Sequence, residues 1–371
     1  MASDEHVESA EVAGLRYVNE AMPGIRRHRR GRGFVYTQPD GARLSDAEEL
    51  ERIRKLVIPP AWTDVWICPV ATGHLQVTAR DARGRKQYRY HTRYRETRDG
   101  TKFGRMVAFS EVLPRIRERV EHDIAGPELT REKVLATVVW LLERTLIRVG
   151  KDMYARENGS FGLTTLRRRH VEVSGSNVRF DFRGKSGVRH SVSITSRKVA
   201  RIVQRCQELP GQELFRYLGP DGRRQTIEAM DINDYLREIS GRQVTAKDFR
   251  TWGGTVHAAV ALRTIGPAES DKEAKANVIQ AVDGVAKRLG NTRAVCRKYY
   301  VHPHVLEAYM EGVVIPSAPA LASNERRNDH PPTLRRDEVA VVALLRARAK
   351  KPGDLLDLPR IAPPAEAEPA A

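Results

Sequence analysis

The sequence predicts an α+β fold: a small β-rich N-terminal domain, then a mainly helical domain that contains a three-stranded antiparallel sheet. Three observations lead there. In roughly the first hundred residues, apolar side chains alternate over short stretches bounded by turn residues. From about Met106 they recur at three and four residues instead. Between His170 and Ile194 the alternation returns before helical spacing resumes. A change of period marks a change of element, because strand side chains alternate between faces whereas helical ones revisit a face every turn.

Residues 1–20 are expected to form a flexible N-terminal tail. The basic stretch Arg26-Arg27-His28-Arg29-Arg30-Gly31-Arg32 follows, readable either as a DNA contact or as a solubilising arm, before the strand-like Gly33-Phe34-Val35-Tyr36. Pro39-Asp40-Gly41 marks a turn. Ser45-Asp46-Ala47-Glu48-Glu49 opens a short helix with an N-cap and early acids, which suit the positive end of the helix dipole. Pro59-Pro60 closes that segment, since proline lacks the amide donor that a helix needs. Val65-Trp66-Ile67 and His74 to Ala79 read as strands, which gives a β-rich domain over 21–103 with a linker near residue 103.

The helical domain is expected over 104–315. Val112 to Val120 and Arg131 to Ile147 have the spacing of amphipathic helices. His170-Val171-Glu172-Val173, Asn177 to Phe182 and Arg189 to Ile194 alternate, separated by turns at Gly175-Ser176 and at Arg183-Gly184-Lys185-Ser186-Gly187. Helical patterns then run from about Ser196 to about Glu311. After Ile315 the composition shifts to Pro, Ala and charge, so 316–371 is expected to be largely flexible, with one helix-like stretch, Asp337 to Lys350, able to dock.

With 64 Lys+Arg against 47 Asp+Glu the net charge is +17, which points to a polyanionic partner, because cations placed on phosphates release condensed counterions. Charge alone does not separate DNA from RNA, ribosomes or anionic lipid. No apolar run reaches the roughly 20 residues of a membrane-spanning helix, and the acidic N-terminus lacks a signal-peptide pattern. Cys68, Cys206 and Cys296 lie far apart, which argues against a zinc site or a disulfide framework and suits a reducing cytoplasm, including the nucleoid of a bacterium. His302-Pro303-His304 has no acidic or thiol partner nearby, so no metal is assigned there.

Five segments in order carry a sharper signal. They are Arg148-Val149-Gly150-Lys151 with Tyr154 and Gly162-Leu163-Thr164-Thr165; Phe182-Arg183-Gly184-Lys185; Lys247-Asp248-Phe249-Arg250; Leu289-Gly290-Asn291-Thr292; and Arg297-Lys298-Tyr299-Tyr300-Val301-His302-Pro303. In order and spacing this set resembles the type IB DNA topoisomerases, especially the compact poxvirus-like and bacterial branch, over residues from about 30 to 310. The resemblance implies that Tyr300 is the nucleophile and that Arg148 and Arg250 grip the non-bridging phosphate oxygens. It implies that Lys185 protonates the departing 5′-oxygen, and that Asn291 stabilises the transition state. Each type suits its task. A phenolate both attacks and later leaves well, guanidinium forks match phosphate, and two arginines with a lysine stand where other nucleases use metal ions.

Poxvirus and eukaryotic members usually carry His where this chain has Asn291, so that position is read as a hydrogen-bond donor with no proton-transfer role. Tyr299 and Tyr300 are adjacent; the family places its nucleophile nine residues after the His/Asn position, which selects Tyr300. In the N-terminal domain, Arg83-Gly84-Arg85-Lys86-Gln87-Tyr88-Arg89-Tyr90 resembles the poxvirus-type stretch that contacts DNA in the major groove. The resemblance makes Arg85, Lys86, Gln87, Tyr88 and Tyr90 candidate DNA contacts, with Tyr88 and Tyr90 on one strand face. Lys151, Tyr154, Arg167 and Arg168 are candidates in the helical domain. The implied partner is double-stranded DNA, bound by a monomer that needs no cofactor.

Two other readings compete. A tyrosine site-specific recombinase shares the nucleophile but usually shows H-x-x-R, whereas Lys247 to Arg250 is K-x-x-R. A non-catalytic DNA-binding protein on the same fold would be expected to have lost some of Arg148, Lys185, Arg250 and Tyr300. Read singly, each of these has a bland alternative: a surface arginine, a solvated turn lysine, an arginine paired with Asp248, a core tyrosine.

Overall fold

The computed structural model describes residues 4–31, 33–219, 221–316, 334–350 and 355–361. They form two compact units, divided between Lys102 and Phe103.

The first unit opens with helix α1 (Asp4–Val12), then β1 (Ile25–Arg30), β2 (Gly33–Thr37), α2 (Ala47–Lys55), β3 (Thr63–Ile67), β4 (Leu75–Arg80) and β5 (Lys86–Tyr90). The strands make one antiparallel sheet in the order β2-β1-β3-β4-β5. Asp46 caps α2 by accepting from the Glu49 N–H at 2.7 Å. The buried Ile53 of α2 joins Ile25, Val65, Ile67, Val77 and Ala79 in a small core. Arg52 ties helix to sheet, donating to Glu49, to Gln76 Oε1 at 2.7 Å and to the Cys68 carbonyl at 2.6 Å.

Two expectations are corrected here. The basic run is not an arm: Ile25–Arg30 is the strand β1, paired on both sides with β2 and β3. A strand of arginines shows no apolar alternation, so its pattern is invisible; the guanidinium of Arg27 instead satisfies the carbonyls of Ile58, Pro59 and Trp62 and lies 4.2 Å from the Phe34 ring centre. Arg32 lies outside the described residues. Nor are residues 4–20 a loose tail. Ala10, Ala13 and Leu15 pack with Tyr94, and Val18 packs with Trp66, Cys68 and Leu75. The segment buries its residues one or two at a time, with no stripe long enough to announce a helix.

Helix α3 (Thr92–Gly104) occupies the place expected for the linker, and Arg105 separates it from α4 (Met106–Ala125). The second unit continues with α5 (Arg131–Thr145), α6 (Asp152–Asn158), β6 (Val171–Ser174), β7 (Asn177–Arg183), β8 (Arg189–Thr195) and α7 (Arg197–Glu208). Then come β9 (Arg216–Leu218), β10 (Arg224–Thr226), α8 (Ala229–Ser240), α9 (Ala246–Ile265), α10 (Asp271–Leu289), α11 (Arg293–Tyr299), α12 (Pro303–Met310) and α13 (Arg336–Arg348). Strands β6, β7 and β8 form the three-stranded antiparallel sheet, with β7 central.

The hairpin β9–β10 corrects the expectation of unbroken helix from Ser196 to Glu311. Its strands are three residues each, too short for alternation to register. Helix α5 is apolar nearly all round, with Val134, Leu135, Val138, Leu141 and Leu142 buried, and it forms the middle of the core. Phe109 of α4 meets Phe249 and Trp252 of α9 edge-on, at 5.1 and 6.3 Å between ring centres.

Beyond residue 316 only α13 and residues 355–361 are described at length, and α13 is docked. Val341 and Leu345 are buried, and Glu338, 3% exposed, accepts from Arg117 at 2.7 and 2.9 Å and from the Trp252 indole at 3.1 Å. Residues 317–333, 351–354 and 362–371 lie outside the described residues. No described helix is long and apolar enough to cross a membrane.

Candidate active site

Helix α5 ends abruptly at Leu146, whose left-handed backbone (φ 57) turns the chain out of the helix two residues before Arg148. A non-glycine residue in that region carries strain of roughly 1–3 kcal/mol. It is held there because the Leu146 side chain is 2% exposed and packs where Gly253 of α9 has no Cβ. The following loop is pinned from outside. The Arg148 carbonyl accepts from the Leu163 N–H at 2.8 Å, and the Val149 carbonyl accepts from the Thr164 N–H at 2.7 Å. A Cβ on Gly162 would meet the Arg148 carbonyl at 2.5 Å, so the distant halves of this motif face one another in space.

Arg250 projects from α9. Its helix starts at Thr245, whose N–H and hydroxyl both donate to Asp248 at 2.8 and 2.9 Å. Asp248 is thus a capping residue, not the partner of Arg250. The Arg250 side chain is 4% exposed and donates to the Leu146 carbonyl and, at 3.0 Å, to the Leu289 carbonyl. Two helix-end carbonyls stand where a carboxylate could, so the positive charge is not neutralised. Burial and the neighbouring Arg148 push its pKa down to about 10. Its Nε, buried, has no hydrogen-bond partner.

Asn291 follows the left-handed Gly290 that caps α10 (φ 58). Its Oδ1 accepts from Arg148 Nη2 at 2.5 Å, which leaves its Nδ2 buried with no partner. Buried donors that find no acceptor in the protein are rare and costly, about 1–3 kcal/mol each. Here the Asn291 amide and the Arg250 guanidinium share that condition close to Arg148, a gathering of donors and positive charge that suits an anionic group.

Tyr300 sits one residue beyond α11 with φ −133 and ψ −4, while Tyr299 is the last helical residue. The two tyrosines are therefore set apart by the helix end rather than by a helical turn. The Tyr300 N–H donates to the Cys296 carbonyl at 2.9 Å, and its own carbonyl accepts from Thr255 Oγ1 at 3.4 Å. Thr255 Oγ1 also accepts from the His302 N–H at 3.0 Å, fixing the turn that follows. A Cβ on Gly254 would stand 2.5 Å from the Tyr300 carbonyl oxygen, so α9 and the Tyr300 backbone approach as closely as glycine allows. The Tyr300 ring centre lies 5.2 Å from the Arg250 guanidinium carbon. Burial raises the phenol, yet Arg250 and Arg148, helped by Lys247, hold it below the ordinary tyrosine value.

Lys185 is exposed at the tip of the β7–β8 hairpin, in a short turn where Ser186 takes φ 62. That tip is placed through its neighbours, since the His190 ring touches both Gly184 and Gly290. His190 was not singled out from sequence. It is legible only once the hairpin register sets it opposite Phe182. Thus Arg148, Arg250, Asn291 and Tyr300 converge, and Lys185 stands on a turn tied to the same place.

The other candidates are dispersed. Lys151 precedes α6, and Tyr154 on it is 44% exposed. The Arg167 guanidinium lies 5.4 Å over Phe161, and Arg168 is exposed. In the first unit Tyr88 and Tyr90 stack at 6.2 Å on the exposed face of β5. Gln87 falls on the other face and donates to Asp81 at 2.9 Å; Arg85 pairs with the same carboxylate at 2.7 Å, and Lys86 pairs with Glu20. His302 of the His-Pro-His run is buried and accepts from the His304 N–H at 3.1 Å as a helix cap.

Two arginines, an amide donor and a phenol brought together suit a phosphate group, which points to the class of enzymes that act on a phosphodiester. Comparison with known proteins supplies the family. Residues 91–314 match the family described as the eukaryotic DNA topoisomerase I catalytic core, and residues 33–81 match the bacterial DNA topoisomerase IB N-terminal domain. The chain is 33% identical over 296 residues to DNA topoisomerase 1B of Acanthamoeba polyphaga mimivirus, covering 78% of this chain and 88% of that one. It is 25% identical over 271 residues to DNA topoisomerase 1B of vaccinia virus (strain Copenhagen), covering 71% and 82%. The chain belongs to the type IB DNA topoisomerase family, and is an isomerase whose partner is DNA.

Proposed function

We propose that this enzyme relaxes supercoiled duplex DNA by cutting one strand through a 3′-phosphotyrosyl bond to Tyr300, letting the free end rotate, and resealing. The convergence of Arg148, Arg250 and the partnerless Asn291 amide beside the Tyr300 phenol carries this reading. Arg250 and Arg148 favour loss of the phenol proton to water. The phenolate oxygen then bonds to phosphorus as the bond from phosphorus to the 5′-oxygen breaks. Lys185 gives its proton to that oxygen, and the arginines with Asn291 hold the charge on the non-bridging oxygens. Religation runs the same steps backwards, so the phosphotyrosyl bond conserves the energy and no nucleotide is consumed. The positive charges already present serve the role that metal ions play in other nucleases.

We assign Gln87, Tyr88, Tyr90, Arg85, Lys86, Lys151, Tyr154, Arg167 and Arg168 to DNA contact. Arg85 and Gln87 must exchange Asp81 for DNA to do so. The enzyme acts as a monomer on the nucleoid, and its binding falls steeply with salt because phosphate contacts release counterions. The test is relaxation of negatively supercoiled plasmid with EDTA present and ATP absent. Wild type should relax it and Tyr300→Phe should not, while still binding DNA. Relaxation by the variant would reject Tyr300 as nucleophile; relaxation by neither would favour a site-specific recombinase or a non-catalytic binder.

A further inference from the structure

The imidazole of His190 fills the space between the hairpin turn and the end of α10. It stands directly across from Phe182 in the β7–β8 register and stacks on that ring at 5.0 Å and 8°. On one side a Cβ at Gly184 would come within 2.7 Å of its Cδ2 and Nε2; on the other, a Cβ at Gly290 would come within 2.7 Å of Nε2. Gly184 precedes Lys185 and Gly290 precedes Asn291. One flat ring therefore spans two backbones that each lead directly into a candidate catalytic side chain. Both glycines are needed for it to fit, which is a close approach and not a turn requirement at Gly184, where φ is −93. Burial, with Arg148 and Arg250 nearby, holds the imidazole below its ordinary value, so the ring is neutral near pH 7. A neutral, wedged ring is suited to act as a spacer.

We propose that His190 is a positioning residue that sets the Lys185 turn at its working distance from the Asn291 end of α10, so that the lysine ammonium reaches the departing 5′-oxygen. This rests on the assignment of Lys185 as the acid made above. An alkoxide leaving group needs that proton as its bond to phosphorus breaks; a thiolate does not, because it is stable as the anion.

The experiment is single-turnover cleavage of a duplex carrying either the normal 5′-oxygen or a 5′-bridging sulfur at the scissile phosphate. His190→Ala should be slower by ~10²-fold with oxygen, the scale of a 1 Å misplacement, and close to wild type with sulfur. His190→Phe, which keeps a ring against Phe182, should retain most of the oxygen rate. Gly184→Ala, which drives a methyl into the same ring, should repeat the oxygen-only defect, and serves also if His190→Ala fails to fold. An equal loss on both substrates, or no loss on oxygen, overturns the proposal. Lys185→Ala is the reference: if sulfur does not restore it, the acid assignment itself is wrong and the role of His190 falls with it. If sulfur restores Lys185→Ala but not His190→Ala and Gly184→Ala, only the positioning role fails.

Discussion

Arg148 Nη2 donates to Asn291 Oδ1 at 2.5 Å, and this single contact decides which way the amide faces. The oxygen is taken, so Nδ2 is the atom presented to the site, buried and without a partner. Asn291 thereby does two things that a histidine would do differently. It steadies one arginine through an acceptor, and it offers a neutral donor that stays neutral at every pH.

Asn291→Ala should lower the single-turnover cleavage rate by ~10²- to 10³-fold, the usual loss for one donor to developing negative charge. DNA affinity should change little. Asn291→Asp should be worse, because a carboxylate would keep Arg148 for itself and repel the phosphate. Equal rates for the Asp variant and wild type would show that Nδ2 contributes nothing.

The pH dependence of cleavage should report the two arginines. They favour the Tyr300 phenolate, holding its pKa below the ordinary tyrosine value against the opposing effect of burial. Arg250→Met removes a neighbouring positive charge, so the phenol pKa should rise and the limb of the profile on which the rate climbs with pH should move to higher pH. A comparison of ultraviolet difference titrations, each with and without Tyr300→Phe, checks the same shift directly. An unmoved limb would mean that Arg250 acts on the phosphate alone.

Stability in acid should depend on His257. Burial, with Arg288 and Arg335 nearby, pushes its pKa down from 6.5 to about 4. Between those values the unfolded chain binds a proton that the folded chain refuses, so stability present above pH 6.5 is lost as pH falls towards 4. The loss attributable to this group is roughly 2–3 kcal/mol. Urea unfolding of wild type and His257→Gln at several pH values should show the variant losing less over that window. Parallel curves would refute the buried neutral imidazole.

Gly254→Ala places a methyl 2.5 Å from the Tyr300 carbonyl oxygen, on a backbone and not on a movable side chain. The strand of chain bearing the nucleophile must shift. Cleavage and religation should both slow by at least ~10-fold, since misplacement of about 1 Å can cost far more. Gly284→Ala, where a Cβ would meet nothing on the same scale, is the control and should be silent.

Much of this protein was legible in the chain. The change from alternation to helical spacing marked the two architectures, because period follows directly from strand and helix geometry. The three strands around Lys185 were readable, because each exceeds the length at which alternation becomes visible and each is closed by turn residues. The strand of arginines at β1, the helix at Asp4–Val12 and the hairpin β9–β10 were not, since each is too short or too polar to carry a period of its own. Those elements exist because neighbours complete them.

The sequence by itself determined the family and the candidate set Arg148, Lys185, Arg250, Asn291 and Tyr300, since the order and spacing of residue types are properties of the chain alone. Only the tertiary structure decided how four of them meet. The Arg148–Asn291 bond joins residues 143 positions apart, and Arg250 is held by carbonyls 104 and 39 positions away. No local pattern encodes such contacts. They follow from the packing of α5, α9 and α10 in one core, as does the seat of His190 between two glycines that the sequence gives no reason to bring together.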